Sequence, residues 1–312
     1  MKLHAPFIQL PLRFDAAVLA DEIAALDASF WKPHPQGFAG NSMLPLVSVD
    51  GNPDDESFAG AMKPTPALLR SPYLSQVFAR LGATVGRSRL MKLSGHAEVT
   101  RHADQHYYWS ERVRVHVPIL TQPTVRFECG GAAVNMAAGE CWIFDTWRQH
   151  RVLNDAVEER IHLVIDTVGG GDFWDLVARG RGHADMRAGW VAEAVAPREG
   201  VAEFACETRN IPVVMSPWEL NSLFALLFSH ALPHPQLKAV HEISGRFARR
   251  WQGLWFEFGD DADGYAPFRE ALASYVAAVS PIGQGIMLNN ELQWFGAMMM
   301  TIGQFAVRPE TR

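Results

Sequence analysis

His102-Ala103-Asp104 is the first place in the chain where residue types and spacing point to chemistry. Alternate residues of a strand face the same way, so an imidazole and a carboxylate two apart project to one side. That is the geometry two facial ligands of one metal ion require. A third ligand has to come from elsewhere, and His150, directly after the polar turn Asp145–Gln149, opens a short strand-like run. Two histidines and one carboxylate with open positions suit non-haem iron(II) that activates oxygen. Taken alone, an HxD among twelve histidines is more ordinarily read as surface or hydrogen-bonded side chains.

The order of the surrounding parts strengthens the metal reading. Arg160 follows His150 by ten positions and heads the run RIHLVID. Its period-two partners His162 and Val164 share its face, while Ile161, Leu163 and Ile165 take the other. An arginine heading so apolar a strand needs an anion, and its planar fork suits a carboxylate. In RVRVHVPIL, Arg112, Arg114, His116 and Pro118 share one face and Val113, Val115 and Val117 the opposite one. That cationic face is either a dicarboxylate site inside a barrel or a solvated outer face, and alternation alone leaves both open. Arg101, Arg112 and Arg151 suit a substrate carboxylate, or equally solvent.

The elements that must hold these groups are short strands. From about residue 87 to 168, runs rich in Val, Ile and Leu alternate with turn residues, with Gly139-Glu140 and Asn154-Asp155 at hairpin positions. This predicts an all-β sandwich or barrel. Residues 16–28 read as a short amphipathic helix, and Ser71-Pro72 as the capped start of another. After a polar, Gly-rich connection over 169–200, the chain turns helical, beginning at the capping box Ser216–Glu219 and continuing over 235–256, 265–279 and 290–307. The fold class expected is α+β with a mainly β core. The domains expected are 1–200, carrying the site, and 201–312, helical.

In combination, these motifs resemble the aspartyl/asparaginyl β-hydroxylase family of 2-oxoglutarate oxygenases. They are H-A-D at 102–104, R-V-H-V-P-I at 114–119, G-E-C-W-I-F-D at 139–145, H-R-V-x-N at 150–154 and R-I-H-L-V-I-D at 160–166. Bacterial proline hydroxylases are similar in the same elements. The resemblance implies a double-stranded β-helix, or jelly roll, of cupin-like type. It implies iron(II) held by His102, Asp104 and His150, with 2-oxoglutarate as co-substrate and O2 as oxidant. Arg160 would hold the far carboxylate of 2-oxoglutarate, with Arg114 and His116 as further contacts. Animal members can lack the ligand carboxylate; with Asp104 present, the chain is similar to the bacterial branch. The substrate implied is an amino acid, or a peptide or protein side chain of the aspartyl or asparaginyl type.

Other readings are weaker. His102 and His106 have the i,i+4 spacing of a zinc helix, but the segment lacks helical periodicity. Tyr107, Tyr108 and Trp109 either line a substrate pocket or pack into the protein body. His96, His162 and His183 carry no assigned role. A redox-neutral, cupin-like metalloenzyme and a non-catalytic binding protein on the same fold are the two alternatives. The net charge of −6, without a basic run, argues against nucleic acid. Three cysteines without CxxC spacing suit a reducing compartment. No apolar stretch reaches membrane-spanning length, so a cytoplasmic protein without a membrane partner is expected. The helical C-terminal third leaves a homodimer open.

Overall fold

Arg160–Gly169 (β10 below) shows why the sheets form where they do. Its odd-numbered apolar residues Ile161, Leu163 and Ile165 are buried in one cluster with Val115, Val117, Leu90 and Ile143. The intervening Arg160, His162, Val164 and Asp166 therefore face the other way. The computed structural model describes residues 2–185 and 188–308. It divides into two units: one takes the chain up to His102 and from Glu111 to Asn210, the other Ala103–Ser110 and the chain from Ile211 onward.

The first unit is built from β1 (Phe7–Phe14), β2 (Asn41–Val49), β3 (Thr84–Leu93), β4 (Glu98–His102), β5 (Val113–Leu120), β6 (Arg126–Cys129), β7 (Ala132–Val134), β8 (Glu140–Phe144), β9 (His150–Leu153) and β10 (Arg160–Gly169). The larger sheet runs β1-β8-β5-β10-β3-β2 and the smaller β4-β9-β6-β7. From β3 to β10 the chain passes back and forth between two sheets, and the neighbours pair antiparallel. That order is a double-stranded β-helix, the jelly roll. Phe7, Leu93, Trp142 and Phe144 of the larger sheet meet Phe127, Cys129 and Val152 of the smaller in one buried cluster, so the sheets pack face to face.

The outer face of the larger sheet is covered by α1 (Ala16–Ala24), α2 (Pro72–Arg80) and α3 (Gly171–Ala178), through Leu19, Ile23, Val77, Phe78, Phe173 and Leu176. Asp15 caps α1, accepting from the backbone N–H of Ala17 and Val18. α1 ends at Ala24, short of the expected residue 28, and Asp27 caps a separate short turn over Ala28–Phe30. α2 starts at the expected proline, but Ser71 does not cap it: its hydroxyl donates to Ala67. The Glu22 carboxylate takes that role from α1, accepting from Tyr73 and Leu74 N–H at 2.7 and 2.9 Å. A turn is present at Gly139, but it joins β7 of the smaller sheet to β8 of the larger, and the connection at Asn154-Asp155 likewise joins β9 to β10, so neither closes the expected hairpin. Gly139 has φ +79°, and a Cβ there would lie 2.1 Å from the Phe14 carbonyl oxygen, so the turn requires glycine.

Residues 201–210 pack with this first unit, ten residues beyond the boundary expected from composition. Glu207 exchanges backbone hydrogen bonds with Val85 and Met62. Its carboxylate takes a two-point hydrogen bond from Arg112 at 2.8 and 2.7 Å, with both side chains at most 4% exposed.

The second unit holds α4 (Pro217–His230), α5 (Leu237–Phe258), α6 (Tyr265–Gly283) and a short helical segment from Trp294 to Gly303. Ser216 caps α4 by accepting from the Glu219 N–H. The core is aromatic: Phe247 stacks on Tyr275 at 4.3 Å, and Trp251 donates its indole N–H to the Met215 carbonyl. Met298 is buried among these helices, as core filling. No helix among the described residues is long and apolar enough to cross a membrane.

Removing one partner of a buried ion pair strands the other charge. Glu207→Ala is therefore expected to destabilise the first unit by about 3–5 kcal/mol, read as a lower midpoint in denaturant unfolding; an unchanged midpoint contradicts this account of the 201–210 segment.

Candidate metal centre

The pairing of β4 with β9 places His102 directly opposite His150. Their rings lie 4.2 Å apart between centroids. The Nδ1 of His102 is 2.7 Å from the Thr100 carbonyl oxygen, and the Nδ1 of His150 is 2.9 Å from that of Arg148. A carbonyl only accepts, so each Nδ1 carries the proton and the ring lone pair lies on Nε2, the nitrogen a metal would take. Asp104 does not sit on the strand. β4 ends at His102 because its partner β9 begins at His150, and pairing runs out there. Asp104 stands in the loop that follows, yet one ligand atom from each of His102, Asp104 and His150 lies within 4.8 Å of the others. This is the triad expected from the sequence, assembled by a strand pair and a loop.

His150 is held from several sides. The edge of Phe144 meets its ring at 4.9 Å. In the preceding turn, the fully buried Asp145 accepts from the Trp147 N–H at 3.1 Å and from Arg148 Nε at 3.0 Å. That fixes the residue whose carbonyl orients His150. Cys129 is paired across from His150, but burial pushes its thiol up to about 12. It donates to the Asp145 carbonyl oxygen.

Between the sheets, the inward face of β10 meets that of β5. Arg160 is 2% exposed, and its Nε and one terminal nitrogen have no hydrogen-bond partner among the described residues. The Nδ1 atoms of His116 and His162 stand 3.4 Å apart, with each Nε2 likewise unpartnered and buried. Burial, and after it the Arg160 guanidinium, pushes both imidazoles well below the usual histidine range; Arg114 and His150 add to this at His116. Both rings are neutral at pH 7. Burial brings Arg160 down to about 9, so it remains a cation. The face that alternation left undecided is interior. Arg114, on that same face, is engaged by Asp166, its opposite number on β10, at 3.0 Å.

The interior thus combines a His-Asp-His donor group, a buried guanidinium lacking a carboxylate, and neutral imidazoles. Residues 56–169 match the model of the family described as aspartyl/asparaginyl beta-hydroxylase. The resemblance read from the motifs is to that same family. All five motifs fall inside the matched stretch, about a third of the chain. No curated protein sequence matches the chain. Among solved structures, it is similar to a 2OG-Fe(II) oxygenase family oxidoreductase from Burkholderia pseudomallei, with 13% identity and TM-score 0.37 over 50% of this chain and 81% of that one. It is also similar to a Pseudomonas putida prolyl-4-hydroxylase, with 17% identity and TM-score 0.37 over 53% and 92%. A third is HygX from Streptomyces hygroscopicus with nickel and 2-oxoglutarate bound, with 11% identity and TM-score 0.36 over 52% and 82%.

Against that hydroxylase pattern, two of the arginines read as substrate candidates are taken up by carboxylates. Arg112 is held by Glu207 and Arg151 by Glu128, the latter at 2.6 and 3.1 Å. Tyr107, Tyr108 and Trp109 are buried in a single helical turn. Tyr107 stacks on Phe305 and hydrogen-bonds Glu219, and the His106 ring meets Phe305 at 4.5 Å, so Tyr107 and His106 both pack within the second unit. His162 and Asp145 were passed over in the sequence. The signal for His162 was its place two residues after Arg160 on the same face; that for Asp145 was its place as the last residue of G-E-C-W-I-F-D.

Depressed imidazoles have a consequence for acid stability. An unfolded histidine titrates near 6.5, whereas in the fold His34 is brought down to about 4, mainly by burial, and His116 and His162 well below 6.5. Below pH 6.5 the unfolded chain binds more protons, so stability falls as pH drops from about 6.5 toward 4. His162→Gln should flatten that slope in denaturant midpoints measured across the range; an identical slope would show that His162 is not the titrating group.

Proposed function

We propose that this chain is an iron(II)- and 2-oxoglutarate-dependent dioxygenase that hydroxylates an amino acid or an aspartyl- or asparaginyl-type side chain. The observation that carries the reading is Arg160, a guanidinium 2% exposed without a carboxylate partner among the described residues, inside the same jelly roll as the His102-Asp104-His150 group. Burying an unpaired cation is costly unless a ligand brings the anion. A dicarboxylate reaching from a metal to Arg160 answers that cost.

The donor set fits iron(II). Two neutral imidazoles and a carboxylate on one side of an ion leave positions open for a co-substrate and oxygen. With iron bound, such a site couples oxidation of 2-oxoglutarate to succinate and CO2 with insertion of one oxygen atom into a substrate C–H bond.

The chain's own residues bind, orient and shield. Arg160 holds the distal carboxylate through its free nitrogens. His116, between Arg160, Arg114 and His150 in the field it senses, offers an uncharged ring beside that ligand. Asp166 keeps Arg114 in place. The carbonyls of Thr100 and Arg148 fix the tautomers of His102 and His150. Phe127 and Phe144, with rings 4.7 Å apart, line the interior beside His150 and His116 and keep water from the reacting region.

Anaerobic titration with iron(II) and 2-oxoglutarate tests the reading through the weak visible metal-to-ligand charge-transfer band. Wild-type protein should develop it, Asp104→Ala and His150→Ala should lose it, and Arg160→Ala should need about 30-fold or more 2-oxoglutarate to reach it. Iron-loaded wild-type protein without a band would sink the assignment.

A further inference from the structure

Two buried imidazoles, His116 on β5 and His162 on β10, meet in the interior between the sheets. Across this strand pair His162 lies opposite Pro118, and His116 opposite Val164. The two histidines are therefore diagonal neighbours on one face, within reach of each other's side chains. Their rings stand 5.7 Å apart at 72°, with the Nδ1 atoms separated by 3.4 Å. The strand neighbours offer little else. Trp142 and Val164 stand beside His116, with Arg89 of β3 beyond Val164, and Pro118 and Met91 stand beside His162. The Trp142 indole N–H is already given to Glu140.

Chemistry restricts what this contact can be. Burial, and after it the Arg160 guanidinium, keeps both rings neutral at pH 7. A neutral imidazole carries one N–H and one lone pair. Two N–H groups or two lone pairs would repel across 3.4 Å, whereas one of each makes a long hydrogen bond. The rings are therefore opposite tautomers. Their Nε2 atoms then differ as well: one is a donor and the other an acceptor, both buried without a partner among the described residues. What each ring faces decides which is which. Phe144 meets both His116 and His150, so His116 is the ring on the side of the donor group. An anion reaching from there to Arg160 favours an N–H on His116 and repels a lone pair. His162 is two residues from Arg160 on the same face, where the cation favours a lone pair on its Nε2.

We propose that His162 is a positioning residue of the co-substrate site: its Nδ1–H donates to the His116 Nδ1 and so fixes His116 as an Nε2–H donor to 2-oxoglutarate. This rests on the reading of Arg160 as the co-substrate anchor. The device is the inverse of the one at the donor group. There the Thr100 and Arg148 carbonyls put the proton on Nδ1 of His102 and His150, whereas His162 puts it on Nε2 of His116.

Nitrogen NMR of the histidine rings reads the tautomers directly, with diamagnetic zinc(II) in place of iron(II). In wild-type protein with zinc(II) and 2-oxoglutarate, His116 should carry its proton on Nε2 and His162 on Nδ1. The signals are assigned by their loss in His116→Asn and His162→Asn. A second measurement is the 2-oxoglutarate concentration that produces the anaerobic iron(II) charge-transfer band. His162→Leu, which removes the donor, should need about 5- to 10-fold more. His162→Asn, whose amide N–H reaches the place of Nδ1, should stay within about twofold of wild type. Absence of the band in wild type overturns the co-substrate reading itself. With the band present, a His116 proton on Nδ1 overturns the present inference. So does a His162→Leu variant that needs no more 2-oxoglutarate than wild type, or an equal loss in the Leu and Asn variants, which marks a purely structural histidine. The wild-type ring signals decide the matter whether or not a variant folds.

Discussion

The structure turns on a buried guanidinium. Ile161, Leu163 and Ile165 must enter the core beneath α1 and α2, and a strand has only two faces. Arg160, His162, Val164 and Asp166 are thereby forced into the space between the sheets. No one-residue slip rescues Arg160 without exposing the entire apolar set. The cation is tolerated because the outer face of the same sheet supplies a large apolar core, with Leu10, Leu44, Leu90 and Val117 essentially inaccessible. Stability is concentrated on one side of the sheet and a polar, incompletely satisfied interior on the other. That division is common where a fold is shaped for a ligand.

The donor group is organised on the same principle, with the rigid parts first. His102 and His150 face each other across a strand pair, and each is oriented by a backbone carbonyl that does not depend on a ligand being present. Asp145 locks the turn that supplies one of those carbonyls. Asp104 is the exception, since it stands past the last strand pair. Two ligands come preset on the sheet, and the third comes from the loop that follows β4.

Much of this was legible in the sequence. Alternation in 112–120 and 160–168 gave the correct faces, because pleat geometry leaves no other choice once the apolar residues are buried. The three donors and Arg160 were marked out in the sequence by residue type and the order of the motifs, and their roles by the family resemblance. What alternation does not carry is partnership. Arg112 and Arg151 looked available for a substrate, but Glu207, nearly a hundred residues away, and Glu128, on the neighbouring β6, occupy them. Ser71 had the right residue type and position for a cap, yet Glu22 reached that helix end first. Both are tertiary choices among chemically equivalent candidates. Arg89 escaped notice for the opposite reason: RSRLMKL mixes two arginines and a lysine with apolar residues, and only its pairing with β10 reveals that Arg89 points inward.

Sorting arginines by partner, rather than by proximity to the donors, also limits what the interior accepts. A low-dielectric space holds a charge only when an opposite charge is close. Asp166 neutralises Arg114 and Glu56 neutralises Arg87, while Arg160, two rows from His116 along β10, has no carboxylate among the described residues. An anion bound at Arg160 would leave that guanidinium paired, and a neutral molecule there would leave it stranded. Discrimination between an acid and its amide then needs no shape difference, because the penalty for the wrong ligand is already built into the empty protein as an uncompensated charge.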